Sequence, residues 1–322
     1  MVEKKYYAIG VDIGGTNMPS SLVDNTGKVV YAIEKKTLPE QGPEALVLRI
    51  SESIKELLTY FKGTLKKETI LGIGLGVPGL LDGKKGEIVT CPNLHGWKNV
   101  PIVNLVKQKI KLPVLMDNDA NCAAIGEHWV GAGKGAKNSI LLTLGSGVGG
   151  GIIIDNKIYR GSHGVAGELG HITIVAEGIL CGCGNYGCLE SYASANATAK
   201  RAKERLRNEN VISTLREKDI NQITAQDIFL HAESGDVFSS NILFESGKYL
   251  GVGIAVFANI FDPDVIIIGG GLSAAEKYLL PTAIDEADRR TFKHIMNKMK
   301  IKKAKLGNNS GMIGAAKLIF DK

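Results

Sequence analysis

An α/β protein built from two similarly constructed domains is the fold class that the sequence predicts. Four apolar runs each lead into a glycine cluster, at residues 10–17, 72–79, 144–151 and 266–271. The same succession of strand, glycine turn, strand, strand, helix, strand and helix can be traced twice along the 322 residues. That length suffices for two domains of ordinary size. No Pro- or Ser-rich linker separates them, so we place the boundary near residue 117.

The first half begins with three predicted strands and continues with a helix at 42–60, where apolar residues recur at helical spacing. The strands are YYAIGVDIG, SSLVD and KVVYAIEKKTL. Two further strands, ILGIGLGVP and EIVTCP, precede a short helix at VPIVNLVKQKI. PVLMD is the last strand of this half, and its end meets a helix that begins near NDANCAAIGEHW.

The second half repeats this order. SILLTLGSG and GGGIIIDNKIY are predicted as two strands joined by a glycine turn, and HITIV as a third. Helices follow at about 191–207, 224–234 and 236–260. The chain ends with a strand at DVIIIGG, a helix at SAAEKYLLPTAIDEADRR, a strand at MKIKKAKL and a helix at GMIGAAKLIF.

The composition favours a globular, cytoplasmic protein that binds neither nucleic acid nor membrane. Of the residues, 44% are hydrophobic and 22% charged, and the net charge is only +6. The lysines are scattered and form no recognisable nucleic-acid motif. The most apolar stretch is interrupted by Asp262, Pro263 and Asp264, so it does not match a membrane span. The N-terminal residues lead directly into a strand, which does not resemble a signal peptide.

The glycine clusters predict phosphate binding through main-chain N–H groups. Residues 145–150 match G-x-G-x-x-G, but a strand follows instead of the helix that a dinucleotide fingerprint needs. No P-loop sequence is present. The alternative is a hairpin turn whose N–H groups face phosphate. DIGGTN has the same form, with Asp12 placed where a divalent cation could bridge it to phosphate. Two ordinary glycine hairpins are the competing interpretation, which the repetition of the pattern disfavours.

Seven ordered motifs resemble the ROK family of sugar kinases and repressors, and more narrowly its bacterial glucokinases. They are DIGGTN, VPGLLDG, PNLHGW, NDAN, LGSGVGGG, GELGH and CGCGNYGCLE, and the similarity covers essentially the whole chain. The resemblance implies a two-domain, actin-like or hexokinase-like ATPase fold, with a duplicated ribonuclease H-like core and ATP and sugar between the domains. The predicted domains are 1–117 with about 303–322, and a larger one at 118–302 that carries a zinc-clipped loop and dimer-type helices.

The glycine turns are therefore expected to bind ATP and Mg²⁺. The residues predicted to do so are Asp12, Gly14, Gly15, Thr16, Asn17, Thr143, Gly145, Ser146, Gly147, Gly269, Gly270 and Gly271.

Four potential metal ligands lie within 18 residues of the second half. His171, Cys181, Cys183 and Cys188 form H-x9-C-x-C-x4-C, which suits a closed tetrahedral zinc site. A redox site would favour C-x-x-C, and structural disulfides are disfavoured in a cytoplasmic chain. No further ligand pattern suggests an open position for water, so the zinc is expected to be structural. The family resemblance implies zinc at the same residues.

The zinc site is predicted to organise a sugar pocket. His171 can bind zinc through one ring nitrogen and offer the other to a sugar hydroxyl. Glu168 and Glu190 flank the metal ligands and would be held by the same loop. Further sugar contacts are expected from Gly79, whose main chain can approach the ring closely, and from Asn93, which is inferred from the family motif.

The motif MDNDAN offers a general base at a strand–helix junction. Asp119 fits a helix N-cap as well as it fits a catalytic carboxylate when the residues are considered alone. In the family the Asp of NDAN is the catalytic base, which implies that role for Asp119 and sugar binding for Asn118. Pro19 departs from the family pattern and leaves the start of the second strand, and the fit of the first turn, open.

The preferred hypothesis is an ATP-dependent hexose kinase that phosphorylates the 6-hydroxyl of glucose. The alternatives are a kinase for N-acetylglucosamine, N-acetylmannosamine or fructose, and a sugar-sensing, repressor-like protein without catalysis. Family repressors carry an N-terminal helix-turn-helix, for which the residues before the first strand leave no room. The family also implies a homo-oligomer, either a dimer or a tetramer.

Overall fold

A computed structural model describes residues 5–65, 68–91 and 97–322. The chain divides into two compact units. The first comprises 1–135, 151–167 and 305–322, and the second comprises 136–150 and 168–304. The chain therefore passes from one unit to the other four times. Because compactness alone does not define a folding domain, the predicted ranges 1–117 with about 303–322 and 118–302 stay a prediction.

The described residues form mixed sheets and helices. The strands are β1 (Tyr6–Asp12), β2 (Asn17–Asp24), β3 (Val29–Lys36), β4 (Thr69–Val77), β5 (Leu80–Asp82), β6 (Glu87–Thr90), β7 (Lys98–Val100), β8 (Val114–Asn118), β9 (Ser139–Leu144), β10 (Val148–Ile154), β11 (Lys157–Ile158), β12 (Val265–Gly269) and β13 (Lys300–Lys303). The helices are α1 (Gly42–Thr64), α2 (Ile102–Lys109), α3 (Asp119–Val130), α4 (Glu190–Ala193), α5 (Ala195–Asn208), α6 (Ala225–Glu233), α7 (Val237–Phe261), α8 (Glu276–Arg290), α9 (Lys293–Met296) and α10 (Ser310–Phe320).

Two five-stranded sheets have matching strand orders, β3-β2-β1-β4-β8 and β11-β10-β9-β12-β13. In the first sheet β3, β2 and β1 are antiparallel, whereas β1, β4 and β8 are parallel. In the second sheet β10 and β11 are antiparallel, and β9, β12 and β13 are parallel. Strands β5, β6 and β7 form a small antiparallel sheet.

Side-chain size decides which helix covers each face of the first sheet. Along β1, the large residues Tyr7, Ile9 and Val11 lie in the core that also contains buried residues of α1. The alternate positions Ala8 and Gly10 lie towards α10. Because successive residues of a strand point to opposite faces, β1 packs on a helix at both faces.

The cluster GIGLGVPG lies mostly within β4, which confirms the strand predicted at ILGIGLGVP and corrects the prediction of a glycine turn over 72–79. β4 continues to Val77, and a Cβ at Gly74 would lie only 1.7 Å from the carbonyl oxygen of Ala315 in α10. The same close approach occurs at Gly10 in β1, 1.8 Å from the carbonyl oxygen of Met312. These glycines therefore allow helix–sheet packing and contribute no N–H groups to a phosphate turn.

β2 begins at Asn17 and includes Pro19, which answers the question that this proline raises. Pro19 lies opposite Glu34 in β3, whereas the pairing with β1 begins only at Ser20. Proline removes one ladder donor, and at this position the strand has no partner residue in β1. Pro19 therefore leaves the β1–β2 turn intact.

HITIV is not a strand, and the prediction of one is wrong. A short 3-10 helix covers Leu169–His171, and the segment that follows has only two isolated bridges, Thr173 with Cys188 and Leu180 with Tyr186. Its main chain folds back on itself around the cysteines, because Ile174 N–H and Leu189 N–H donate to Gly187 O and Ile172 O. The predicted helix at 191–207 is also interrupted at Ser194, whose side chain caps α5.

A buried carboxylate fixes two segments where the chain leaves or enters the first unit. Glu127 in α3 has no exposed surface. Its side chain accepts N–H groups of Ala132, at 2.8 Å, and of Lys305 and Leu306, at 3.1 and 2.7 Å. Among the described residues, no helix has the length and apolar character needed to cross a bilayer.

Candidate active site

The junction of β8 and α3 separates the roles of three consecutive polar residues. Asn118 is the N-cap of α3, because its Oδ1 accepts the N–H groups of Ala120 and Asn121 at 2.9 and 3.3 Å. Asp119 is consequently the first residue of the helix, half-buried, with its Oδ1 accepting Ala120 N–H at 2.9 Å. The N-cap interpretation thus applies to Asn118, and Asp119 is not needed for that function.

Asp117 is committed to the fold. One carboxylate oxygen accepts Asn118 N–H and the Asn121 side-chain amide, and the other accepts Arg160 Nε at 2.8 Å and Nη2 at 2.6 Å. The Asp117 side chain is buried, so its charge needs such a partner. The sequence did not indicate Arg160, which lies 43 residues away. Between the two aspartates of MDNDAN, Asp119 is therefore the better candidate base.

Gly79 lies beside this junction. The Asn118 Nδ2 donates to Gly79 O at 3.4 Å, so the two residues predicted to bind sugar adjoin one another. Gly79 has φ of 94°, and a Cβ there would lie 2.5 Å from Thr90 O. Only glycine fits this combination of positive φ and close approach. Asn93, the third predicted sugar ligand of the first unit, lies outside the described residues.

Asp12 ends β1 close to Asp119. Burial and the negative charge of Asp119 raise the pKa of Asp12 to about 7. Two neighbouring carboxylates in a poorly solvated environment repel one another, and a divalent cation would relieve that repulsion. The first glycine turn follows Asp12 directly: Gly14 N–H donates to Asn17 O at 3.0 Å, while Gly15 and Thr16 are exposed.

A lysine that the sequence analysis missed adjoins the first turn. Lys36 Nζ donates to Asn17 Oδ1 at 2.8 Å. The register of β2 with β3 could have indicated it, because Asn17 lies directly opposite Lys36. The first unit thus places Asp12, Asn17 and the ammonium group of Lys36 at the same end of its sheet.

The second unit brings the remaining glycine residues together where two parallel strands end. Thr143 of β9 lies opposite Gly269 of β12. The turn at Gly145–Gly147 follows β9, with Gly145 N–H donating to Gly147 O at 2.9 Å. Gly269 ends β12 and Gly270 and Gly271 follow it, and a Cβ at Gly270 would lie 2.5 Å from Leu144 N. Ser146 is exposed at the tip of the first of these segments.

A cavity of about 1160 Å³ opens at the Gly145–Gly147 turn. Its walls come from both glycine segments of the second unit, from α5 and α6, and from the segment that precedes α6. The lining residues that the sequence analysis missed include Asn196, Lys200, Lys203, Arg207, Asn221, Gln222, Gln226, Phe229 and Leu272. The volume is that of a site for a drug-sized or somewhat larger molecule.

The predicted metal ligands form one cluster. The ligand atoms of His171, Cys181, Cys183 and Cys188 all lie within 4.8 Å of one another. Cys181 Sγ is 3.7 Å from His171 Nδ1, and Cys183 Sγ is 3.6 Å from Cys188 Sγ, with no disulfide. Tetrahedral zinc with bonds of about 2.3 Å to sulfur separates its ligand atoms by about 3.7 Å. The residues therefore fit a zinc ion.

The thiol pKa values depend on the surroundings of each cysteine. The N–H of Asn185 donates to Cys183 and lowers the pKa of that thiol. Burial raises the pKa of the Cys188 thiol to about 12, so a thiolate there requires a bound cation. The two cysteines outside the cluster, Cys91 and Cys122, are buried and form no disulfide.

Both glutamates that flank the cluster adjoin its ligands. Glu168 Oε2 lies 3.9 Å from His171 Nε2, the ring nitrogen that faces away from the cysteines. Glu190 Oε1 accepts the Cys181 thiol at 3.8 Å, and Glu190 Oε2 accepts Val148 N–H at 2.9 Å. Glu190 therefore contacts both the cysteine cluster and the strand that follows the second glycine turn.

Comparison with known proteins gives the same family for nearly the entire chain. The sequence profile of the ROK family matches residues 8–322. A glucokinase from Halalkalibacterium halodurans is 38% identical over 314 residues, which are 97% of this chain and 94% of that protein. A xylose repressor from Caldicellulosiruptor bescii is 33% identical over 312 residues, but the match covers 77% of its length.

A solved structure agrees with these relatives. The ROK family glucokinase from Streptomyces griseus, in complex with glucose and AMPPNP, is 35% identical, with a TM-score of 0.81. The match covers 98% of this chain and 100% of that one. Sequence profile, relatives and fold are mutually consistent, and the chain belongs to the ROK family.

Proposed function

We propose that the protein is an ATP-dependent hexose kinase that transfers the γ-phosphoryl group of ATP to the 6-hydroxyl of glucose. The observation that carries the proposal is the position of Asp119 at the start of α3, close to Asp12 and next to the Asn118 that contacts Gly79. A carboxylate there adjoins both a proposed cation ligand and two proposed sugar ligands. Glucose and ATP are proposed as the substrates because the relatives include glucokinases and the matched structure contains glucose and AMPPNP.

In the proposed reaction Asp119 accepts the proton of the 6-hydroxyl. The hydroxyl oxygen forms a bond to the γ-phosphorus while the bond from that phosphorus to the β,γ-bridging oxygen breaks, and ADP leaves. Phosphoryl transfer depends on positioning and charge stabilisation more than on covalent chemistry. The residues that we propose to orient the sugar are Glu168, His171, Glu190, Asn118 and Gly79, together with Asn93.

The cavity of the second unit is the proposed nucleotide site. The N–H groups of Ser146 and Gly147 would face the phosphates, since that of Gly145 donates to Gly147 O. The walls formed by α5 and α6 would enclose the nucleoside. Mg²⁺ supplies charge neutralisation between phosphates when it is bound, and Asp12 is the residue proposed to hold it. The raised pKa of Asp12 supports that assignment. Burial and the charge of Asp119 disfavour the ionised carboxylate, and a bound cation would offset both effects.

Zinc is proposed as a structural ion on His171, Cys181, Cys183 and Cys188. With His171 Nδ1 turned to the cysteines, Nε2 remains for a sugar hydroxyl next to Glu168. The loop would then hold sugar-binding side chains in place without taking part in the chemistry.

The proposal extends to the fold and the assembly. The repeated strand order supports a duplicated ribonuclease H-like core of an actin-like, hexokinase-like ATPase. A homo-oligomer, dimer or tetramer, and a cytoplasmic location follow from the family resemblance. Analytical ultracentrifugation of the purified chain tests the oligomer, and a single monomeric species would contradict it.

A coupled assay of ADP production tests the activity. The panel contains glucose, mannose, fructose, N-acetylglucosamine and N-acetylmannosamine, with MgATP as donor. We expect the highest kcat/KM with glucose. A higher value with an amino sugar or fructose would retain the kinase and change its substrate, and no ADP production with any sugar would reject it.

The repressors among the relatives support a second candidate, a sugar-responsive protein without catalysis. Binding of glucose without ADP production, together with a shift of labelled DNA, would favour that candidate.

A further inference from the structure

The eight residues that begin at the last cysteine connect the metal cluster to the glycine turn. We name residues 188–195 the strap. Its first residue is the metal ligand Cys188, its third is Glu190 at the start of α4, and its last is Ala195 at the start of α5. Leu189 N–H donates to Ile172 O at 2.9 Å, so the start of the strap is also hydrogen-bonded to the residue after His171.

Glu190 contacts the glycine turn on one side. Its Oε2 accepts Val148 N–H at 2.9 Å. The same oxygen packs against Gly147, where a Cβ would lie only 2.2 Å from it. Its other oxygen, Oε1, accepts the thiol of Cys181 at 3.8 Å. One half-buried carboxylate therefore joins the turn to a metal ligand.

The end of the strap holds the other side of the turn. Ala195 N–H donates to Gly145 O at 2.8 Å. Gly145 and Ala195 both line the proposed nucleotide cavity. The main chain of the turn is thus held at Gly145 and at Val148 by two groups of the same short strap, and the strap itself begins at Cys188.

We infer that Glu190 is a positioning residue through which the metal cluster fixes the Gly145–Gly147 turn for nucleotide phosphates. This role deepens the proposed function and rests on it for the identity of the nucleotide. A carboxylate has lone pairs for several donors, so sugar binding by Glu190 is compatible with it. The consequence is specific: zinc and Glu190 affect nucleotide binding in the absence of any sugar.

The physical reason lies in the rigidity of the strap. A bound zinc fixes Cys188, which precedes Glu190 by two residues in the strap. Zinc also takes Cys181 as a thiolate, which no longer donates to Glu190 Oε1, so the constraint acts through the main chain of the strap. Without zinc the strap is flexible. The Val148 N–H and Gly147 are then attached to a moving Glu190, and the turn samples more conformations. Preorganised N–H groups bind phosphate more tightly than flexible ones, because less ordering is required on binding.

Titration of the zinc-loaded protein of 322 residues with AMPPNP and Mg²⁺, in the absence of sugar, tests the inference. Glu190→Gln keeps the size of the side chain and removes its charge. We expect its Kd for AMPPNP to rise about tenfold, because the Val148 N–H then has an uncharged and weaker acceptor that holds the turn less firmly. Amide hydrogen exchange should also be faster at residues 145–148, since the N–H of Val148 loses its charged acceptor.

The matched control is Glu168→Gln. Glu168 also adjoins a metal ligand, but its contact is with His171 Nε2, at 3.9 Å, on the side away from the cysteines. Its AMPPNP affinity and its exchange at 145–148 should therefore equal those of the wild type. Zinc removal from the wild type, verified by metal analysis, should weaken AMPPNP binding and accelerate the same exchange. In Glu190→Gln, zinc removal should change both quantities less than in the wild type.

Unchanged affinity and exchange in Glu190→Gln, or unchanged exchange in the wild type after verified zinc loss, would overturn the inference. If Glu190→Gln does not fold, zinc removal from the wild type and the shorter Glu190→Asp decide it by the same two measurements. Failure of the proposed function is distinguishable: the wild type would then bind no AMPPNP, while hydrogen exchange would still report the coupling of cluster and turn.

Discussion

Replacement of Asp12 by asparagine should stabilise the folded protein in a pH-dependent manner. The folded pKa of Asp12 is about 7, against an ordinary value of 3.8, so folding raises it by about three units. Between pH 4 and pH 7 the unfolded chain has released this proton while the folded protein retains it. The free energy of unfolding therefore falls as the pH rises through this window, and it levels off above pH 7.

The magnitude follows from the size of the shift. Three units correspond to about 4 kcal/mol. Because the side chain is only half-buried, solvent screening lowers this figure, and we expect about 2–4 kcal/mol above pH 7. The asparagine of the variant has no carboxyl to ionise, so the variant avoids this cost. Its stability advantage should grow by about 2 kcal/mol between pH 5 and pH 8.

Urea denaturation at pH 5, 6, 7 and 8, without Mg²⁺ or nucleotide, measures this difference. Asp82→Asn is the matched control, because N–H groups of Lys85 and Lys84 lower the pKa of Asp82 below its ordinary value. Both its folded and unfolded pKa values lie below pH 5, so its effect should be constant over the range. A pH-independent effect of Asp12→Asn would refute the reasoning.

Four further predictions concern the site and the fold. Asp119→Ala should lower kcat about a thousandfold or more while glucose affinity, measured by calorimetry, stays near that of the wild type; retained turnover would remove Asp119 as the base. Verified zinc removal should abolish glucose binding in the same calorimeter, and unimpaired binding would contradict a structural role in the sugar pocket. Glu127→Gln should lower the free energy of unfolding by about 2 kcal/mol, because its amide would present a donor to buried N–H groups; an unchanged urea midpoint would disprove this. Gly270→Ala should cost more than about 2 kcal/mol, since its φ is 82° and its Cβ would meet Leu144. Gly235→Ala, with φ of 91° and an open surrounding, should cost about 1 kcal/mol by the same denaturation measurement, and equal effects would show that the close contact is unimportant.

Local patterns determined the parts of this protein that depend on neighbouring residues in sequence. The spacing of apolar residues located most of the helices and the strands of the two matched sheets, and ordered motifs identified the ROK family. The spacing of His171 and the cysteines predicted their cluster, because ligands within 18 residues of one another can converge with little tertiary information. The prediction of a strand at HITIV was wrong, because alternation of apolar residues does not by itself supply a neighbouring strand to pair with.

Only the tertiary structure distinguished residues that have the same local pattern. Asp117 and Asp119 are equivalent in the motif, and Arg160, distant in sequence, commits one of them to the fold. Glycines at Gly74 and Gly147 likewise look alike, but one accommodates α10 and the other packs against Glu190. The cavity walls come from separate segments that meet only after folding. The spacing of residues in the sequence determines contacts between groups that are close along the chain. Packing between distant segments decides which of those groups have a structural role and which can contact a ligand.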